Sequence, residues 1–183
     1  MNLLLAGGIG SSVLGTVLYV VGIATPAWLS AEQQGKKLEM GLWEICGVSS
    51  GAWACVSYPD ISRLSGAVHA TRAFAIIGSL LLFAGVSLVG FAAMKNIINI
   101  NLNVSILKKI GGALIITGGI CGVLAAGIFT GDSSALTHGL PVPFGYSIYL
   151  TWAQAVFTLG GGAVIIAAAR QSQQEDEMPV LSD

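Results

Sequence analysis

The chain has 183 residues, of which 54% are hydrophobic and only 9% are charged, and its formal net charge is −1. A soluble domain usually carries about 25% charged residues, so this composition excludes an ordinary soluble protein and favours a small integral membrane protein with one domain. A nucleic-acid partner is also excluded, because the chain lacks the excess of lysine and arginine that neutralises phosphates.

Four long segments without charged side chains predict four transmembrane helices, at about 3–27, 73–94, 110–131 and 146–169. About 20 apolar residues are needed to cross a hydrocarbon core of about 30 Å, and a spanning segment must be helical so that its backbone groups pair internally. The first span has no basic leader and is longer than the apolar part of a signal peptide, so we expect it to be retained. The predicted class is therefore an all-α membrane protein built as a four-helix bundle.

Small residues recur in these spans at the spacing of one helix face, which lets helix backbones approach closely in lipid. We favour packing within the bundle over a dimer interface as their role. No span carries an acidic or basic residue at depth, which argues against a transporter, a pump or an ion pore through the bundle. The repeated positions are Gly7, Ser11 and Gly15, then Gly118 and Gly122, and the run 160–162.

The segment 28–72, between the first two spans, contains two of the three cysteines. Cys46 and Cys55 are flanked by alternating, β-prone residues, and Ser49-Ser50-Gly51 between them is typical of a turn. This pattern predicts a β-hairpin bridged by a disulfide, which would stabilise it by about 2.7 kcal/mol in the chain-entropy model. Because disulfides persist in oxidising compartments, we expect this loop outside the cell and both termini in the cytosol. Lysines and arginines near the span ends are equally numerous on the two sides and do not decide the orientation.

A zinc site at Cys46 and Cys55 is disfavoured, because the only histidines, His69 and His138, lie in different loops and complete no ligand set. Cys121 lies inside the third span, where we expect it to pack as a small apolar side chain, with palmitoylation as the alternative. The motifs of hydrolases, metalloproteases and nucleotide-binding enzymes are missing from the sequence. We therefore expect no metal, no cofactor and no enzymatic activity.

Three tryptophans lie in or beside the long loop. An indole is stable at the level of the lipid headgroups, and exposed aromatic side chains also dominate protein interfaces. For Trp28 and Trp43 we favour docking of the loop onto the bundle. For Trp53, near the hairpin turn, docking and adhesion stay equally open.

The remaining connections are short. The segment from Lys95 to Lys109 contains Asn103-Val104-Ser105, which fits a glycosylation sequon but falls on the predicted cytosolic side, so we interpret it as a chance match. The segment 132–145 is the second predicted extracellular loop, and 171–183 is predicted to be a solvated cytosolic tail. The four spans and their loops form one predicted domain, 1–170.

The long loop resembles that of the claudin superfamily. The superfamily signature has a Trp, then Gly-Leu-Trp, then two residues and a Cys, and a second Cys after a short hairpin. This chain has Trp28, Gly41-Leu42-Trp43, Cys46 and Cys55 in that order. It continues with Tyr58, Asp60 and Ala70-Thr71-Arg72-Ala73, and its segment 145–153 is similar to the fourth claudin span. Parts of the second and fourth spans also resemble the peripheral-myelin and epithelial-membrane branch, which includes the lens-fibre intrinsic protein.

The resemblance implies a left-handed bundle of four helices that carries a small extracellular antiparallel β-sheet. It also implies a plasma-membrane protein of cell–cell contacts such as tight junctions, surrounded by membrane lipid, which self-associates in cis and in trans and forms an adhesive or paracellular barrier. The alternative is an auxiliary or scaffold protein that modulates a channel, a receptor or a membrane domain in the same cell. The chain ends in Leu181-Ser182-Asp183, without the hydrophobic end that PDZ domains bind, so we expect no PDZ scaffold.

In claudins the residue after the second Cys can face a pore, and here that residue is Val56. Since acidic and basic side chains nearly balance in the long loop, we favour a barrier over a charge-selective channel. Arg72 has two interpretations: a snorkelling cation at the membrane interface, or a buried link between the second span and the loop, as the resemblance implies. The expected interaction or pore surface comprises Glu39, Glu44, Trp53, Val56 and Asp60.

Overall fold

The structure, a computed structural model, describes residues 3–33, 35–49, 51–58, 64–98, 103–136 and 143–177. All four of its helices are long and apolar enough to cross a membrane, which confirms the predicted four-span class. In chain order the elements are helix α1 (Leu3–Ala24), strands β1 (Leu29–Gln33), β2 (Lys36–Met40), β3 (Glu44–Ser49) and β4 (Ala52–Ser57), and helices α2 (Gly66–Ile98), α3 (Val104–Leu136) and α4 (Tyr146–Glu177).

The helix ends differ from the predicted spans for physical reasons. Helix α1 ends at Ala24 rather than near residue 27, because Pro26 has no backbone N–H and disfavours the helical conformation of Thr25 before it. Helices α2, α3 and α4 instead continue past the charged residues that bound the spans. A charged side chain marks where the hydrocarbon ends, but a helix extends into water as long as its backbone hydrogen bonds are made.

The bundle is held by three close helix pairs, α1 with α4, α2 with α3, and α3 with α4, whereas α1 and α2 touch much less. Small residues lie at these contacts. Gly15 packs against Thr158, and Gly118 packs against Leu82, with no room for a side chain at either glycine. These positions support packing within the bundle as the role of the small residues. Gly7 and Gly160, in contrast, face open space on the outside of α1 and α4, so the packing role does not extend to them.

The four strands form one antiparallel sheet in the order β1-β2-β3-β4, which confirms the small sheet that the resemblance implied. Gly35 and Gly51 lie in the two tight turns with φ of 72° and 84°, a backbone region that favours glycine. Cys46 and Cys55 lie directly opposite each other on β3 and β4. The hairpin predicted around the cysteines is therefore one half of a larger sheet, whose other half is the β1–β2 hairpin.

The sheet is fixed to the bundle along its first strand. Leu29 of β1 forms an antiparallel bridge with Phe144, and the backbone N–H of Ser30 donates to the carbonyl of Pro143 over 3.0 Å. Residues 143–145, just before α4, thus cover the outer edge of β1, and β4 forms the opposite edge. The second predicted loop, 132–145, starts inside α3, and its middle, with His138, lies outside the described residues.

Candidate functional site: the sheet and its attachment to the bundle

Two tryptophans of the long loop complete the end of α1. The last four carbonyls of any helix lack a helical partner. In α1, the indole N–H of Trp28 donates to the carbonyl of Gly22 over 2.9 Å, and that of Trp43 donates to the carbonyl of Ile23 over 2.8 Å. The first and second tryptophans of the signature therefore cap the same helix end, and they fix the loop to it.

Trp28 is also the centre of the apolar cluster that joins the sheet to the bundle. The side chain is fully buried, and its ring meets Phe129 of α3 edge-on with ring centroids 4.8 Å apart. Leu42 of the signature is fully buried in the same cluster, and Gly41 lies so close to Pro26 that no side chain fits there. These contacts agree with docking as the role of Trp28. Trp43 keeps 37% of its surface exposed beside its hydrogen bond.

Arg72 connects α2 to the loop. Its Nε donates to the carbonyl of Leu42 over 2.7 Å, and its guanidinium carbon lies 5.4 Å from the ring centroids of both Trp43 and Tyr58. The Tyr58 hydroxyl donates in turn to the carbonyl of Gly41 over 2.8 Å. Burial raises the pKa of Tyr58, and the nearby charge of Arg72 opposes that shift. Of the two interpretations of Arg72, these contacts favour the link between the span and the loop.

The predicted disulfide is present, with the Sγ atoms of Cys46 and Cys55 bonded at 2.04 Å. Cys46 is fully buried, whereas Cys55 is exposed on β4. A carboxylate oxygen of Glu44 lies with the two sulfurs inside 4.8 Å, a spacing that could suit a metal ion. Because the sulfurs are bonded to each other and are not thiolates, they are poor ligands and only one carboxylate remains. The chemistry of this cluster is that of a structural disulfide.

The pleat of the sheet places most charged side chains on one face, with Lys36 as an exception, and most apolar side chains on the other. The face that carries the disulfide, which we call the charged face, includes the salt bridge between Lys37 and Glu39, with Nζ and Oε1 2.6 Å apart. The hydrogen bond with Glu39 raises the pKa of Lys37. The other face, which we call the apolar face, exposes Leu38 by 43% and Val56 by 64%. In the paired register this apolar face also holds Leu29, Ala31, Met40, Ile45, Gly47 and Ala54.

The residues expected to form an interaction surface lie in different environments. Val56 is exposed on the apolar face, and Trp53 is 48% exposed on the charged face. Glu39 is only 7% exposed and paired with Lys37, so it contributes little surface. Glu44 is partly buried beside the disulfide, and Asp60 lies outside the described residues. Val56 and Trp53, both exposed on β4, thus remain as candidates for the interaction surface.

Sequence reasoning missed a set of buried polar side chains within the spans. Tyr19 donates its hydroxyl to the carbonyl of Ala75 on α2 over 3.1 Å. Gln154 of α4 donates through Nε2 to the carbonyl of Gly119 on α3 over 3.2 Å and is fully buried. Such groups are placed inside a bundle because lipid offers no hydrogen-bond partner. The sequence signal that could have identified Gln154 is that it is a single glutamine within the otherwise apolar run of the fourth span.

Polar residues also fix the helix ends on both sides of the bundle. The hydroxyl of Ser65, just before α2, donates to the Asp132 carboxylate at the end of α3 over 2.6 Å. At the other side, Asn103 Oδ1 accepts from the N–H of Ile106 over 3.4 Å and caps the start of α3. The Ser105 hydroxyl donates to Ala169 of α4 over 3.0 Å. Both polar residues of the sequon therefore have structural partners.

The four spanning helices and the disulfide-bridged sheet that caps one end of the bundle define a multi-pass membrane protein with a tetraspan fold. The chain matches the PMP-22/EMP/MP20/Claudin family over residues 1–165 and belongs to that family. It is 26% identical to Claudin-7-A of Danio rerio, over 94% of this chain and 88% of that protein. It is 28% identical to Claudin-15 of Rattus norvegicus, over 92% of this chain and 80% of that protein. It is 30% identical to Claudin-11 of Homo sapiens, over 77% of this chain and 67% of that protein.

Proposed function

We propose that this protein is a claudin-like protein of cell–cell contacts, whose sheet binds the sheets of other copies to form an adhesive or paracellular barrier. The observation that carries the proposal is strand β4, all 6 residues of which are exposed. Within the described part of the chain, no further strand pairs with its outer edge. An open edge strand has unpaired N–H and C=O groups and readily pairs with another chain. Such an edge suits association between identical copies.

The apolar face favours a seal over a charge-selective channel. Apart from Lys36 at the start of β2, the described strand residues on this face carry no charge, and Val56 and Leu38 expose 64% and 43% of their surface on it. An ion that passes along such a surface finds no group to replace its hydration shell, and narrow apolar passages tend to lose their water. Copies that line a paracellular space with this face would therefore resist ion flow.

The proposed orientation places the sheet outside the cell and both termini in the cytosol. The disulfide supports it, since such bonds persist in oxidising compartments. Family membership and the four spans support a place in the plasma membrane, and the resemblance to claudins implies a place at cell junctions. In this orientation the exposed edge of β4 faces neighbouring cells and neighbouring copies.

The experiment uses mixed cultures of junction-free cells. A form with a cytosolic tag is expressed in some cells and imaged at their contacts with expressing and non-expressing neighbours. We expect enrichment only where both neighbours express it, and a higher transepithelial resistance in confluent layers. A uniform surface distribution with an intact disulfide would contradict the proposal and would favour the alternative, an auxiliary protein that acts within one cell.

A matched pair of variants locates the surface. Val56→Lys puts a charge on the apolar face, where the side chain is 64% exposed, and we expect it to abolish enrichment or lower the resistance. Val48→Lys makes the same change on the charged face, at a side chain 38% exposed on β3, and we expect little effect. Equal effects of the two variants would show that the apolar face has no special role.

A further inference from the structure

The end of α4 that lies away from the sheet carries a serine beside the start of α3. The Ser172 hydroxyl donates to the carbonyl of Ala169 over 3.1 Å, and the Ser105 hydroxyl of α3 donates to the same carbonyl over 3.0 Å. Because they share one acceptor, the two hydroxyls lie close together. Ser172 is half-buried, and Gln171 and Gln174 beside it are exposed, so this turn of α4 is accessible to solvent.

A lysine of α3 lies on the same side as this pair of hydroxyls. Gly112 and Ile116 of α3 contact α4. Lys109 comes four residues after Ser105 and seven before Ile116, so it shares their α4-facing side. Helical side chains lean towards the start of their helix, which directs Lys109 towards Ser105. Four residues of helix rise by about 6 Å, which the four-carbon stem of a lysine can span. An anionic group on Ser172 therefore comes within reach of the Lys109 ammonium.

The residues after Ser172 have the charge pattern of a kinase substrate. The third, fourth and fifth residues after it are Glu175, Asp176 and Glu177. Kinases select substrates by such charge patterns, and a basic substrate groove favours a serine that is followed by acidic residues. The kinase reads these residues in sequence order from an extended chain, and the last turns of a helix unwind readily. Ser182, in contrast, is followed only by Asp183.

We propose that Ser172 is phosphorylated by an acid-directed protein kinase, and that the phosphate binds Lys109 and fastens the end of α4 to α3. In the transfer, the Ser172 oxygen bonds to the γ-phosphorus of a nucleoside triphosphate and the bond from that phosphorus to the leaving diphosphate breaks. The hydroxyl proton passes to the catalytic carboxylate of the kinase. The product carries a charge of about −1.5 to −2 at Ser172. In cells this modification rests on the proposed orientation, which places this end of α4 in the cytosol.

The modification is tested on the full chain in nanodiscs, where both ends of the bundle are accessible, with casein kinase 2 as the acid-directed kinase and magnesium ATP. We expect mass spectrometry to find phosphate at Ser172. Glu175→Gln should slow its incorporation about tenfold, because a charged hydrogen bond to the kinase is lost. Ser182→Ala is the control and should leave incorporation unchanged. No phosphate at Ser172, or equal rates in the wild type and Glu175→Gln, would overturn the site.

The orientation is tested separately, so that the two proposals can fail independently. A C-terminal tag is stained in intact and in permeabilised cells, and we expect staining only after permeabilisation. Phosphorylation in nanodiscs together with a tag that stains in intact cells would refute the proposed orientation and with it the modification in cells. A cytosolic tag without phosphate at Ser172 in nanodiscs would refute only the kinase site.

Binding of the phosphate to Lys109 is tested by its removal with alkaline phosphatase. An exposed ion pair contributes up to about 1 kcal/mol, so we expect Lys109→Gln to speed dephosphorylation about threefold. Lys108→Gln removes the same charge three residues before Gly111, which contacts Val89 of α2, and should leave the rate unchanged. Protection of the buried Cys121 from thiol dyes shows that each variant is folded. Equal rates in the wild type and Lys109→Gln, or equal effects of the two lysine variants, would refute this contact.

Discussion

Removal of Arg72 tests the attachment of the sheet to the bundle. Arg72→Ala deletes a charged hydrogen bond to the Leu42 carbonyl, worth about 1.5–3 kcal/mol, and two contacts with aromatic rings, worth about 0.5–1 kcal/mol each at partly exposed sites. We therefore expect Arg72→Ala to lower the free energy of unfolding by about 3 kcal/mol. Since 1 kcal/mol shifts Tm by about 2–4 °C in a chain of this size, we expect Tm to fall by about 6–12 °C.

The assay uses the chain's own reporter. Cys121 is the one cysteine outside the disulfide and is buried, so a thiol-reactive dye labels it only on unfolding of the detergent-solubilised protein. Arg72→Lys retains the charge but loses the planar guanidinium, and we expect an intermediate Tm. Arg170→Gln, at the far end of the bundle, controls for loss of an arginine. In cells, Arg72→Ala should reduce surface delivery or formation of the Cys46–Cys55 bond. An unchanged Tm with normal delivery and an intact disulfide would refute the proposed link.

Three further predictions use the same thermal assay. Trp28→Phe leaves the buried carbonyl of Gly22 at the end of α1 without its donor. We expect the free energy of unfolding to fall by about 2 kcal/mol and Tm to fall by about 4–8 °C. An unchanged Tm would show that the indole N–H is dispensable. The double variant Cys46→Ser with Cys55→Ser should have a free energy of unfolding lower by about 2.7 kcal/mol than the wild type. Equal Tm values for the wild type with and without reductant would contradict this role of the disulfide. Gln154→Leu should lower Tm by less than about 3 °C, because interhelical hydrogen bonds in membrane proteins average only about 0.6 kcal/mol; a large fall would show a stronger network.

The contacts of the long loop give a physical reason for its signature residues. Trp28 and Trp43 supply the donors that the carbonyls at the end of α1 need, and Gly41 permits the close approach of Pro26. Arg72 then joins the same loop to α2. These residues hold the sheet to the bundle, and among the described residues all six of β4 stay exposed. Attachment and proposed recognition are thus carried by different residues of one short loop.

Much of the architecture could be predicted because its determinants are local. The absence of charge over a long apolar segment defines a span wherever it occurs, and Pro26 locates the end of α1 within a few residues. Alternating β-prone residues and a turn between Cys46 and Cys55 predicted the hairpin. The structure joins these two cysteines in a disulfide. The resemblance of the loop motif predicted the family, which the match over residues 1–165 confirms.

What the sequence determined by itself is therefore the membrane class, the number of spans and the disulfide-bridged hairpin, since each depends on residues that are close in the chain. The tertiary structure decided what depends on distant residues. It buried Glu39, brought Trp28 against Phe129, and covered the edge of β1 with residues 143–145. The edge of β4, unpaired among the described residues, was decided in the same way, because a surface is known only when the elements that could cover it have been placed.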